Sequence, residues 1–159
     1  MPEPIALAET AGTISSLFVS GAIFAFSTGG VSTARLAAKS SPVLAARQWL
    51  HVFTRCHNIG TPMVVASAGC FAWLKYQTNN NIYLAAAASC IGLVPYTILF
   101  LSGPEKILFA AAKVSETRAD PVLRDVEQAL GRWGVVNAIR VVFPLAAGVM
   151  VLASKMLWA

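Results

Sequence analysis

The sequence predicts an all-α integral membrane protein, a four-helix bundle with both termini on the non-cytosolic side. Three observations carry that reading: an excess of apolar residues, charge-free runs long enough to span a bilayer, and a lopsided placement of basic residues between those runs. Of the 159 residues, 57% are hydrophobic and only 12% charged, and the mean hydropathy is +0.65. A soluble domain carries roughly a quarter of its residues as charges. A single globular core of this size does not hide so much apolar side chain, whereas a bilayer does.

Residues 10–34 and 76–104 contain no charge, and each run exceeds the ~20 residues a transmembrane helix needs. Residues 56–74 are interrupted only by His57, and residues 133–154 only by Arg140. The expected spans are therefore 8–31, 56–75, 81–102 and 133–155, in a single membrane domain covering 1–159. The first span comes after Glu3 and Glu9 rather than a basic segment and is longer than a signal-peptide core, so it reads as a permanent helix.

Within the first span Ala8, Gly12, Ser16 and Ser20 recur every four residues, a small-residue seam that lets another helix approach closely. Gly21, Ala25 and Gly29 form a second such row, and Thr28-Gly29-Gly30 ends the span before a short basic loop. Pro42 suits the first turn of the next helix, whose cytosolic extension over 42–55 runs on into the second span. Pro62 lies inside it and leaves the Asn58 carbonyl without its helical donor, which predicts a bend. Asn79, Asn80 and Asn81 make the short external turn, and Pro95 frees the Ile91 carbonyl in the third span. Ser102-Gly103-Pro104 breaks that span at the cytosolic side. Asp120-Pro121 pairs an N-cap with proline at the first helical position, so a second extension over 120–132 leads into the fourth span. Gly131 and Gly134 allow a bend at the interface.

Orientation is set by the cations. Arg35, Lys39, Arg47 and Arg55 lie between the first two spans, and Lys106, Lys113, Arg118, Arg124 and Arg132 between the last two. The opposite side offers only Lys75 and Lys155, so the positive-inside rule puts both termini outside the cytosol. That placement also accounts for the net charge of +5 without nucleic acid as a partner. Cys56, Cys70 and Cys90 sit in or beside apolar runs, with no C-x-x-C pair, and read as small buried side chains rather than disulfides or metal ligands. There is no N-x-S/T sequon, lipidation motif or internal repeat.

The remaining question is what the polar residues at membrane depth do. Trp133, Asn137, Arg140 and Pro144 share one helical face. An arginine at the bilayer centre costs roughly 2.5–3.5 kcal/mol on insertion scales, so it usually faces protein or a water-filled cavity. Arg140 lies about 10 Å deeper than Trp133 along a helix, and Asn137 on its face favours an inward polar pocket over snorkelling to the headgroups. In the second helix His51, Arg55, Asn58 and Pro62 share one face, and Trp49, Phe53, Cys56 and Gly60 another. The two histidines are separated by about 120° around an ideal helix, so together they do not chelate one ion.

Arg47, Gln48, Trp49, His51, Phe53, His57 and Pro62 give the pattern R-Q-W-x-H-x-F…H…P. Arg132, Trp133, Asn137, Arg140 and Pro144 give R-W-x-x-x-N-x-x-R-x-x-x-P. Both resemble the DUF1772, or anthrone oxygenase-like, family of small membrane proteins, and the similarity covers nearly the whole chain. Phe53 stands where tyrosine is more usual, and Cys56 where a small residue such as glycine is.

The resemblance implies a cofactor-independent monooxygenase in polyketide secondary metabolism, oxidising an anthrone to an anthraquinone with O₂ as co-substrate. Its implied partners are the lipid bilayer and a planar aromatic polyketide; no metal is expected, and a homo-oligomer stays open. With no other targeting signal, it also implies the endoplasmic reticulum. The chemistry needs a base, a donor for the enolate oxygen and an apolar slot. His51 and His57 are the candidate bases, with His51 preferred for its place on the Arg55 and Asn58 face. Asn137 and Arg140 are the candidate oxyanion donors. Trp49, Phe53, Asn58 and Trp133 are the candidate substrate contacts, with the two tryptophans stacking on the ring system. Two other classes fit the same residues: a non-catalytic membrane assembly protein, and a metal- or haem-assisted oxidase or cyclase of the same family. A transporter fits less well, since no inverted repeat is present.

Overall fold

The computed structural model describes residues 3–114 and 125–157, and these are helical almost throughout. In chain order they form α1 (Glu3–Ala25), a single π-helical turn (Phe26–Gly30), α2 (Val31–Ala38), α3 (Pro42–Thr78), α4 (Asn81–Phe100), α5 (Ser102–Lys113), α6 (Val126–Ile139) and α7 (Val142–Leu157). Three stretches are long and apolar enough to cross a membrane: Glu3–Ala38, Asn81–Phe100 and Val126–Met156. α3 is longer than any of the other helices but is not among them. Its first half carries Arg47, His51, Arg55 and His57, and Asn58, Thr61 and Ser67 dilute the rest.

The local chemistry explains where helices begin and end. The Ser41 hydroxyl accepts from the Leu44 amide at 3.2 Å, capping α3 just ahead of Pro42. Asn79 ends that helix in the left-handed region at φ 54°, and Lys75 Nζ donates to its carbonyl and to the Asn79 and Asn81 side chains at 2.8–3.1 Å. Asn80 Oδ1 then accepts from the Ile82 amide at 3.0 Å and starts α4. The asparagine triplet is thus a turn, as its composition predicts.

Three expectations about where helices break need correcting. Thr28-Gly29-Gly30 does not end the first helix: the π-turn carries the chain directly into α2. Ser27 and Thr28 donate back to the Ile23 and Phe24 carbonyls at 2.7 and 2.8 Å, so the widened turn keeps its carbonyls bonded. By contrast, Ser102-Gly103-Pro104 does break the helix as expected: α4 ends at Phe100 and the chain continues at once as α5. Proline falls in the first turn of α5, where no amide is needed. The fourth span is broken, with α6 ending at Ile139 and α7 starting at Val142. Pro144 has no amide to offer the Arg140 carbonyl four residues earlier. Finally, Gly131 and Gly134 lie inside an unbroken α6, and a Cβ on Gly134 would stand 2.9 Å from Val31 Cγ1. Gly134 therefore serves close helix contact rather than a bend. Asp120-Pro121 lies outside the described residues.

The chain divides into two compact units. The first is built from the described parts of Met1–Ala22, Ile59–Pro95 and Val141–Ala159. Its interior holds Val19, Phe71, Leu74, Tyr83, Ala86, Cys90, Ala147 and Val151, with Thr13, Ser16, Ser20 and Ser67 buried among them. The small-residue seam of α1 is real: Cβ atoms on Gly12 and Gly148 would meet Cys70 and Phe71 at 3.0 Å, and Leu17 and Ser16 at 2.8 Å. The second row is not a packing row, because Gly21 and Gly29 face open space. Outward, this unit presents Leu7, Ile14, Phe18, Val65, Leu84, Ile91 and Val149, an apolar exterior suited to lipid. A Glu9–Lys155 ion pair at 3.1 Å ties α1 to α7.

The second unit comprises the described parts of Ile23–Asn58 and Tyr96–Arg140. Here α6 packs on α5, α2 and the π-turn around Phe26, Val31, Trp49, Leu101, Leu108, Val126, Leu130 and Trp133.

These contacts predict opposite outcomes for two glycines. Gly148→Ala overpacks the seam and should cost about 1–3 kcal/mol. Gly21→Ala meets nothing and should gain roughly 0.5–1 kcal/mol from helix propensity. Thermal melts in detergent should rank the three proteins Gly21→Ala, wild type, Gly148→Ala.

Candidate active site

The second unit gathers most of the sequence-predicted polar and aromatic residues. Trp49, Phe53 and His57 lie one turn apart along α3, so their rings form a stack. The Trp49 and Phe53 centroids are 4.9 Å apart at 23°, and those of Phe53 and His57 are 5.7 Å apart at 17°. Trp133 from α6 meets Trp49 edge-on at 5.4 Å and 85°, and Phe26 of the π-turn at 5.0 Å. Phe109 from α5 closes the cluster, with its centroid 5.3 Å from Trp49 and 5.5 Å from Phe53. Trp49 and Trp133 are 1% and 0% exposed, so they frame the cluster rather than offer open faces for a ring to stack upon.

Polar groups border these rings. The Trp133 indole Nε1 donates to Glu105 Oε1 at 3.1 Å. Arg140 and His57 both lie within electrostatic reach of the Glu105 carboxylate. Arg140 Nη1 donates to Thr97 Oγ1 at 3.3 Å, while its Nε is buried without a partner. Asn137 is fully buried, with Nδ2 donating to Ser27 Oγ at 2.7 Å and Oδ1 left unbonded. Trp49 Nε1 is also buried and unbonded. Leaving a buried donor or acceptor unmade costs about 1–3 kcal/mol, so three such atoms in this unit call for partners that its helices do not supply. Next to Arg140, Tyr96 Oη donates to the Val136 carbonyl at 3.0 Å.

The two histidines part company. His57 belongs with Phe53, Glu105 and Arg140. His51 lines a separate groove of about 500 Å³ with Gly29, Gly30, Leu44, Arg47 and Gln48. Arg47 is committed to the C-terminal end of α5, donating through Nε and Nη2 to the Ala112 and Val114 carbonyls at 3.3 and 3.2 Å. Asn58 is exposed and makes no described contact with the cluster. The sequence reading missed Glu105, whose signal was its first-turn position after Pro104. It also missed that His57 continues the Trp49–Phe53 row at i+4 and i+8. Among the described residues, no three His, Cys, Asp or Glu side chains are grouped to hold a metal ion.

Fold and site together define an all-α protein with three helices able to cross a membrane and an aromatic cluster bordered by a guanidinium, a carboxylate and an imidazole. More particularly, the chain belongs to the anthrone oxygenase family, whose model matches residues 49–150. It is 26% identical to monooxygenase hypC of Dothistroma septosporum, covering 71% of this chain and 64% of that protein. It is 27% identical to the noranthrone monooxygenase of Aspergillus flavus, covering 69% of this chain and 55% of that one. Anthrone oxygenase tpcL of Aspergillus fumigatus is 26% identical, with 92% of this chain and 91% of the relative covered. The chain thus spans between half and two thirds of the length of the first two relatives, and nearly all of the third. No solved structure matches the chain.

The electrostatics of Glu105 carry a stability signature. Burial raises its pKa above the ordinary carboxyl value, against the pull of the Trp133 hydrogen bond and the charges of Arg140 and His57. The fold therefore favours the protonated acid. That stabilisation is fully present below the unfolded value near 4.5 and is lost as pH rises through the higher folded value. Glu105→Gln should accordingly melt higher than wild type at neutral pH, and the two curves should converge below pH ~4.5. Melting temperature measured against pH checks this.

Proposed function

We propose that this protein is a cofactor-independent anthrone oxygenase, with His57 as the base and Arg140 as the donor for the substrate oxyanion. The observation that carries the proposal is an aromatic cluster with His57 stacked on Phe53 and Trp133 bonded to Glu105, while Arg140, its Nε buried and unpaired, lies within electrostatic reach of the same carboxylate. The names of the relatives support the reaction class.

In the first step His57 takes a proton from the doubly benzylic carbon of an anthrone, and Arg140 stabilises the enolate oxygen that forms. The enolate passes one electron to O₂, and the radical pair recombines to a carbon-bound peroxide. His57 returns its proton to the peroxide. Loss of the second benzylic proton with O–O cleavage releases water and leaves the quinone carbonyl. One O₂ is consumed, with one oxygen entering product and the other leaving as water. Phe53 and the exposed edge of His57 supply the apolar approach for a planar ring, while Trp49 and Trp133 hold those groups in place. Asn137, anchored by Ser27, offers its unbonded Oδ1 in the same unit.

The same proposal places the chain as a single multi-pass domain in a membrane, with α3 as a fourth crossing helix and both termini away from the cytosol. The endoplasmic reticulum is the proposed membrane. The basic residues between the first and second and the third and fourth spans support that orientation.

A second reading has its own observation. The groove beside His51 has a volume of about 500 Å³, within the range of small-molecule sites, and would make His51 the base. Oxygen consumption and quinone formation by purified protein with an anthrone separate the two. His57→Ala should lose about 10²–10⁴-fold in kcat, the usual worth of a general base, and His51→Ala should stay within a few-fold of wild type. The reverse result moves the chemistry to the groove. Arg140→Lys, which keeps charge but loses the fork of donors, should lose about 10²–10³-fold in kcat.

A further inference from the structure

We infer that Glu105 is a positioning residue of this site: it holds the Trp133 indole and presents the negative charge against which His57 and Arg140 are arranged. The inference deepens the oxygenase reading and rests on it. Glu105 stands in the first turn of α5, and the buried face of that helix, Pro104, Leu108, Ala111 and Ala112, fixes its roll. Phe109, one turn on, packs on Trp49 and Phe53. Glu105 and Phe109 therefore enter the cluster from the same side of α5.

The hydrogen bond to Trp133 does not by itself explain an acid here. Trp49 is as deeply buried as Trp133, yet its Nε1 has no partner. The fold thus tolerates an unbonded indole, and a neutral acceptor would serve Trp133 equally well. What a carboxylate adds is charge. Trp133 of α6 is hydrogen-bonded to it, and Arg140, just past the end of α6, and His57 of α3 lie within its electrostatic reach, with Cys56 and Tyr96 within reach of Arg140. An ionised Glu105 holds the guanidinium in place and stabilises the imidazolium formed when His57 accepts the substrate proton. It takes no proton itself. Burial works against its charge, and a charge retained at a cost to stability is common at functional sites.

The experiment uses the full chain in detergent, with an anthrone as substrate and ¹⁵N-indole NMR of Trp133 as an activity-free readout. Glu105→Gln should leave the Trp133 resonance in its hydrogen-bonded position and KM within about twofold. It should lower kcat by about 10–100-fold, the usual cost of losing an orienting partner, and displace the acid limb of the kcat profile, which His57 as base still imposes. Glu105→Asp should restore most of kcat and the acid limb. Wild-type kcat and pH profile in Glu105→Gln would overturn the inference. So would a Trp133 resonance in that variant shifted to the position seen in Glu105→Ala, which would make the role structural. If wild type fails to oxidise any anthrone, the oxygenase reading falls by itself. The Trp133 resonance then decides the electrostatic part: movement with pH in wild type and none in Glu105→Gln supports it, and no movement in wild type refutes it.

Discussion

The packing of Trp133 is the contact on which the second unit depends. Its indole is fully buried and touches Phe26 of the π-turn, Trp49 and Phe53 of α3, and Glu105 of α5. Aromatic pairs in tilted or edge-on geometry add about 0.5–1.5 kcal/mol each beyond the area they bury. One side chain on α6 thereby joins the π-turn, α3 and α5. The seating of α6 makes this geometry available: Gly134 lets Val31 come close, and Asn137 reaches Ser27. A larger residue at 134 would lift Trp133 out of register with Trp49.

At two of the four passages from one unit to the other the helix is irregular, and at the other two an unbroken helix carries a proline nearby. Boundaries fall at Ala22–Ile23, Asn58–Ile59, Pro95–Tyr96 and Arg140–Val141. Close to them stand the π-turn, Pro62, Pro95, and the break ahead of Pro144. In an apolar surrounding each freed backbone group must find a partner within the protein. Some hydroxyls bond to carbonyls near these points. Ser20 and Ser89 donate to the Val141 and Phe143 carbonyls at 3.0 and 2.7 Å in the first unit, and Tyr96 to Val136 in the second. Serine and tyrosine side chains therefore add to the backbone's hydrogen bonding in both units.

Much of this was legible in the residues. Helical content, the start at Pro42, the asparagine turn and the inward face of Trp133 and Asn137 all come from local rules of capping and periodicity. Two things were not legible. The role of Thr28-Gly29-Gly30 turned on whether hydroxyls would re-bond a widened turn, and composition alone reads glycine pairs as stops. The grouping of the histidines turned on which neighbour row His57 joins. Counting from His51 through Arg55 and Asn58 pairs His51 with the polar face, whereas counting by fours from Trp49 puts His57 on the aromatic one. Both counts are valid on a helix, and tertiary contacts from α5 and α6 decide between them. Glu105 was hidden for a related reason, since an acid beside Gly103-Pro104 resembles a loop charge until α5 is seen to form.

The energetics point the same way as the geometry. A folded domain is stable by only about 5–15 kcal/mol, so three buried unbonded atoms and a burial-penalised carboxylate in one unit are a substantial fraction of that margin. Aliphatic side chains in their place would pack well at no electrostatic cost. In the first unit, among the described residues, Thr13 Oγ1 is buried and unbonded, and the unbonded Glu9 oxygen is paired in charge with Lys155. Concentration of the unmet groups beside Trp49, Asn137 and Arg140 therefore separates this cluster from ordinary membrane packing. The opposing demands on Glu105, burial against it and Trp133, Arg140 and His57 for it, are those expected of a site that holds charge ready for a reaction.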